Sequence, residues 1–87
     1  MAARGVPDRR SIGIHCMKCR VLLYRYSKGG SGGLVKCFLE RILDDRTRGD
    51  CRCPGCDQEF ARPIVLGGKR AHKIIGGKVF TRGMRRR

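Results

Sequence analysis

Two short cysteine pairs, Cys16-Met17-Lys18-Cys19 and Cys53-Pro54-Gly55-Cys56, stand 33 residues apart in a chain of 87. They constrain the fold more than any other feature. Two residues between cysteines is the spacing at which a tight turn presents both sulfurs and its backbone amides to one ion, and tetrahedral zinc takes four thiolates. Pro54-Gly55 supplies turn chemistry in the second pair. One such pair alone could be a redox dithiol or an accident of composition; two of them predict a structural zinc site with Cys16, Cys19, Cys53 and Cys56 as ligands. A thioredoxin-type dithiol needs a βαβ pattern around it, and neither pair has one. A secreted framework of three disulfides would call for a secretory signal, and the N-terminal stretch shows no apolar segment of that kind. A reducing intracellular compartment is the expected setting.

Chain length argues the same way. Eighty-seven residues with two Tyr, three Phe and no Trp form one small domain with a thin core, and domains of this size often need a metal, a disulfide or a partner to hold them. Structural zinc contributes on the order of 10–16 kcal/mol to folding in small metal-dependent fingers. Two cysteines lie outside the pairs. Cys37, within Leu34-Val35-Lys36-Cys37-Phe38-Leu39, reads as a small buried hydrophobe. Cys51 is close enough to compete for the metal, but it stands only one residue from Cys53 and does not easily share the knuckle geometry. His15 reads as an ordinary imidazole beside four better-placed thiols.

Charge identifies the partner class. The chain holds 21 Lys and Arg against 7 Asp and Glu, a formal net charge of +14. Residues 61–87 contain nine of the basic residues and none of the acidic ones. A polyanion would release counterions on meeting such a segment. An anionic membrane surface is the weaker candidate, because the basic segment has no helical apolar face, and no apolar run approaches the ~20 residues of a membrane span. Nucleic acid is the expected partner, with no small-molecule substrate. The candidate phosphate contacts are Arg4, Arg9 and Arg10 in an N-terminal arm, Lys28 beside the glycine loop, and Arg62, Lys69, Arg70, Lys73, Lys78, Arg82, Arg85, Arg86 and Arg87. Ala2, Ala3 and the arginines of the arm give it a faint likeness to an organelle-targeting segment. Its shortness and Asp8 favour a plain basic arm.

The intervening segments read as strands and turns. Val21–Tyr26 is rich in strand formers, and residues 27–33 form a glycine-serine loop. That loop lacks G-x-x-x-x-G-K-[ST] and is not a nucleotide cradle. Tyr24 and Tyr26 share a strand face and either pack in the core or stack on unpaired bases. Leu34, Val35, Phe38, Leu39, Ile42 and Leu43 fit a helical stripe, while the zinc context and residue types favour a strand at Leu34–Leu39 paired with Val21–Tyr26. Farther on, Gly67-Gly68-Lys69 and Gly76-Gly77-Lys78 repeat at a nine-residue interval, which suits tight turns between very short strands.

C-M-K-C-x-x-L-L-Y-x-Y followed by C-P-G-C-x-x-x-F-A resembles the zinc-ribbon group, over about residues 14–60. The glycine-rich basic chain is similar to small zinc-ribbon proteins of ribosomes, organellar ones included. The resemblance implies the same four cysteine ligands and two or three antiparallel strands. It departs where glycine often follows the second cysteine of a knuckle; Arg20 and Asp57 stand there, so a strained or looser turn is expected.

The expected fold is a small zinc-stabilised β protein, a zinc ribbon with short antiparallel strands and basic tails. Residues 1–13 form the N-terminal tail, 14–60 the ribbon core and 61–87 a basic extension of short strands ending in a tail. The expected function is a structural, non-catalytic one: binding RNA, ribosomal RNA above all, beside neighbouring proteins of a ribonucleoprotein, with the mitochondrial ribosome among the settings. The alternative is a transcription-associated ribbon that binds DNA or a polymerase, which shares the same knuckles. Catalytic zinc keeps an open coordination position beside a general base, and His15, His72, Glu40 and Glu59 form no recognisable arrangement of that kind.

Overall fold

A computed structural model of the chain describes residues 10–29 and 34–83. Seven strands follow in order: β1 Arg10–Cys16, β2 Leu22–Lys28, β3 Lys36–Phe38, β4 Ile42–Asp45, β5 Ala61–Leu66, β6 Lys69–Ile74 and β7 Val79–Arg82. A single 3-10 turn, Leu39–Arg41, separates β3 from β4. All pairings are antiparallel, in a four-stranded sheet of order β4-β2-β1-β7 and a three-stranded sheet of order β3-β6-β5.

The core follows from period-2 alternation. Along β1, Ile12, Ile14 and Cys16 all point inward and are fully buried, as alternate residues of a strand must share a face. Leu23, Tyr24, Tyr26, Cys37, Phe60 and Ala61 complete the same cluster. Tyr24 joins the two sheets: its ring meets Phe60 edge-on at 5.6 Å, and its hydroxyl shares a 2.8 Å hydrogen bond with His72 Nδ1 on β6. The Tyr26 hydroxyl accepts from the Phe38 amide at 2.9 Å. Both tyrosines are thus core residues with satisfied hydroxyls, which removes them from any base-stacking role.

Three expectations change. The segment around Cys37 is strand rather than helix, but β3 does not pair with β2. The 3-10 turn redirects the chain, so β3 pairs with β6 and places Cys37 opposite His72, while β4 takes the place beside β2. Residues 61–83 are not an appendage to a ribbon core: β5 and β6 supply most of the second sheet, and β7 pairs with β1 in the first. A three-residue β3 cannot form a sheet alone, so the sequence on both sides of position 60 folds as one unit. Residues 10–13, expected in the tail, open β1 and bury Ile12. The remaining tail residues, 1–9 and 84–87, lie outside the described residues.

Both glycine repeats form turns. Gly67 and Gly68 have φ of +57° and +80°, the double left-handed geometry of the two-residue hairpin turn that joins β5 to β6. Gly77, at φ +82°, occupies the third position of a turn closed by the Lys78 amide on the Ile75 carbonyl at 3.2 Å. The second turn carries the chain from one sheet to the other rather than closing a hairpin.

His72 gives the fold a pH dependence. Burial holds its imidazole below the ordinary value, with Arg70 adding to the effect and Asp45 opposing it. The unfolded chain then binds a proton near pH 6.5 that the native chain refuses. Stability from this group is complete above that pH and falls as pH drops toward the lowered native value, by up to about 1.4 kcal/mol per pH unit. Denaturant unfolding at pH 7.5 and 5.5 is expected to show a larger acid loss for the wild type than for His72→Gln. Equal losses in the two proteins would contradict this.

Candidate metal centre

Each cysteine pair sits in a turn built the same way. In the first, the Arg20 amide donates to the Cys16 carbonyl at 2.8 Å and the Cys16 amide to the Val21 carbonyl at 3.0 Å. In the second, the Asp57 amide donates to Cys53 at 2.7 Å and the Cys53 amide to Gln58 at 2.9 Å. The residue after the second cysteine is left-handed in both turns, Arg20 at φ +70° and Asp57 at φ +65°. The missing glycines therefore produce strain and not looseness, since both turns are closed by short hydrogen bonds.

Backbone strain of this kind costs a non-glycine residue roughly 1–2 kcal/mol. Arg20 recovers part of that through its guanidinium, 5.4 Å from the Phe80 ring centroid, a contact worth about 0.5–1 kcal/mol at an exposed site. Arg20→Gly is expected to raise the denaturation midpoint slightly and Arg20→Val to lower it, because a β-branched residue is least tolerated at positive φ. Thermal melts of the two variants check the opposite signs.

The turns bring Cys16, Cys19, Cys53 and Cys56 together, with all four sulfurs within 4.8 Å of one another. Cys19 Sγ lies 3.3 Å from Cys53 Sγ and Cys16 Sγ 3.6 Å from Cys56 Sγ. A regular tetrahedron of sulfurs about 2.3 Å from a central zinc has edges of about 3.8 Å, so the cluster has the dimensions of a single-ion site. All six cysteines are free thiols. The backbone of the second turn packs closely against the sulfurs, because a Cβ on Gly55 would fall 3.0 Å from Cys19 Sγ and 3.6 Å from Cys53 Sγ. The Gly55 amide donates to Cys53 Sγ at 3.3 Å. The Gln58 side-chain amide reaches Cys16 Sγ at 3.6 Å and the Lys78 carbonyl at 3.5 Å, tying the centre to the chain entering β7. Gln58 is a supporting residue that no spacing rule in the sequence points to.

Within the cluster the sulfurs act on one another's protonation, whereas the other two thiols respond chiefly to burial. At Cys16 burial opposes ionisation, but the Cys19 and Lys18 amides and the neighbouring sulfurs outweigh it and lower the thiol to about 6. At Cys19 the Val21 amide favours the thiolate, yet Cys53 and the other sulfurs push the group up to about 12. Four thiolates this close repel one another, and a divalent cation removes that conflict. Cys37 is also pushed up to about 12, but by burial alone. Cys51 is raised by burial and then by Asp50, Glu59 and Asp45. Both behave as buried thiols outside the cluster. His15 is outside it as well: its Nδ1 donates to the Arg20 carbonyl at 3.1 Å, and its ring stacks on Phe80 at 5.1 Å.

The basic residues fall into different situations. Lys28 is buried, with its amine 3.3 Å from the Gly29 carbonyl. Lys69 lies 2.9 Å from Glu40 and holds that carboxyl below its usual range. Arg62 is 3.9 Å from Glu59. Among the described residues, Arg70, Lys73, Lys78 and Arg82 have no carboxylate within ion-pair distance, because Asp44, Asp50 and Asp57 engage Arg46, Arg48 and Arg52 near the second knuckle. Arg10 is in β1 opposite Lys28. Arg4, Arg9, Arg85, Arg86 and Arg87 lie outside the described residues.

Fold and site define a class: a small all-β protein of antiparallel strands with four cysteines placed to hold one metal ion, consistent with a zinc-ribbon-like fold. No family model matches the chain, and neither does any curated protein or solved structure.

Proposed function

We propose that the protein is a structural, zinc-dependent RNA-binding component of a ribonucleoprotein, the ribosome foremost, with the mitochondrial ribosome among the settings. Four thiolates fill a tetrahedral zinc shell and leave no open position for substrate, which favours a structural over a catalytic metal. The observation that carries the partner class is the charge distribution: nine basic and no acidic residues in 61–87, of which, among the described residues, only Arg62 and Lys69 have a carboxylate within ion-pair distance. Rigid sheets joined by one metal would hold Arg62, Lys69, Arg70, Lys73 and Arg82 in fixed positions against phosphate.

Binding of the zinc-loaded chain to structured RNA and to duplex DNA, compared at equal salt, tests this reading. With roughly 8 phosphate contacts the log–log salt slope on RNA is expected near −5 to −6. A weak slope counts against it, and clear preference for duplex DNA favours the transcription-associated alternative. Cosedimentation with ribosomal particles after mild nuclease treatment would identify the assembly, and loss from those particles at low salt would refute tight incorporation.

A further inference from the structure

The outward face of the three-stranded sheet carries a costly row of charges. Lys36 on β3 stands directly opposite Lys73 on β6, and Lys73 directly opposite Arg62 on β5. Opposed residues in an antiparallel ladder share a face, and like charges so placed are destabilising. With strands about 4.8 Å apart, the row spans about 10 Å. Among the described residues, Glu59 is the one carboxylate within ion-pair distance of the row, and only of Arg62, at 3.9 Å.

Two positions along the same face, Phe38 stands opposite Ala71. Ala71 is buried there, while Phe38 is only half-buried. Two cations already gather at the ring: Lys36 Nζ lies 5.8 Å and the Arg41 guanidinium 5.6 Å from its centroid. A flat ring bordered by two cations, neither with a carboxylate within ion-pair distance among the described residues, combines the two elements of a single-strand platform, a stacking surface and a phosphate track.

We propose that this face binds single-stranded RNA, with an unpaired base stacked on Phe38 and the adjoining phosphates held by Lys36, Lys73 and Arg62. The assignment rests on the RNA reading above and specifies the surface and the form of the strand. A base entering over Phe38 displaces the cations from the ring, and their flexible stems carry them to the phosphates. A paired duplex hides the faces of its bases and gains nothing from the ring.

The test is the affinity of the full-length zinc-loaded protein for a short uridine-rich single-stranded RNA, measured by fluorescence anisotropy over a range of salt. Phe38→Leu is expected to weaken binding about 5- to 150-fold, the loss of one base–aromatic stack, with the salt slope unchanged. The double variant Arg62→Gln/Lys73→Gln is expected to flatten the slope by about 1.4, two contacts at 0.7 each. Arg25→Gln/Arg46→Gln, at the four-stranded sheet where the two arginines engage Ser11 and Asp44, serves as the control and is expected to change the slope less. Zinc content and melting temperature establish that each variant is folded, and the charge variant decides the matter if Phe38→Leu is not. Wild-type affinity and slope in both test variants would overturn this surface while leaving the RNA reading intact. Failure of the wild type to bind any RNA would sink both, and tighter binding to a perfect RNA duplex or to an acidic peptide would overturn the single-strand assignment.

Discussion

Stripping zinc from the loaded protein with a strong chelator is expected to abolish its cooperative fold. The first knuckle closes β1 onto β2, and the second leads through Phe60 into β5, so one ion ties the four-stranded sheet to the three-stranded one. The buried cluster is small, with Tyr24, Phe60, Ile12, Ile14 and Leu23 its largest fully buried side chains. Small domains retain about 5–15 kcal/mol of net stability, and structural zinc supplies on the order of 10–16 kcal/mol. Removing the larger quantity from the smaller leaves an unfolded chain, and crowding four sulfurs without a cation adds repulsion. Far-UV circular dichroism during chelation and zinc re-addition should show loss and recovery saturating at one ion per chain. Cys53→Ser is expected to lose the ion and the fold. Cys37→Ala and Cys51→Ala are expected to keep the ion, with a lower melting temperature from lost packing. A metal-free chain that stays fully folded, or disulfides among positions 16, 19, 53 and 56, would refute the scheme.

The parts of this architecture that were legible in the sequence are those with a local signature. Two C-x-x-C turns announce four convergent sulfurs because the spacing itself sets the geometry, and Gly67-Gly68 marks a hairpin because few other residues accept two successive positive φ values. Long-range pairing has no such signature. The strand at Cys37 is visible as a strand, yet its partner depends on the three-residue 3-10 turn at Leu39–Arg41, which sends β3 to one sheet and β4 to the other. The composition shift after residue 60 suggests a boundary, but β6, which buries Ala71 and His72 in succession, pairs with β3 across it. Lys36 has no special sequence context, and only the register that sets it beside Lys73 distinguishes it. Lys28 looks like an exposed cation at a flexible loop and is in fact buried, because the alternation of β2 turns it inward with Tyr24 and Tyr26.

Phe60→Ala is expected to produce the second largest loss, and one that leaves the metal in place. Phe60 is fully buried four residues beyond Cys56. Its amide donates to the Cys51 carbonyl at 3.0 Å, and its carbonyl accepts from Ile75 at 2.9 Å. Its ring covers Tyr24, whose hydroxyl satisfies buried His72, so the cavity exposes the joint between the two sheets. Truncating a buried phenylalanine costs about 3–5 kcal/mol, a fall of at least about 12 °C in melting temperature for a domain of this size. Phe60→Leu, which preserves most of the volume, is expected to cost less than about 1.5 kcal/mol. Val65→Ala, at a side chain 67% exposed, should stay within about 0.5 kcal/mol. The sulfurs sit in turns closed by their own backbone hydrogen bonds, so Phe60→Ala should still bind one zinc per chain while melting early. Loss of zinc in step with the melt would show that the knuckles depend on this core and do not form on their own.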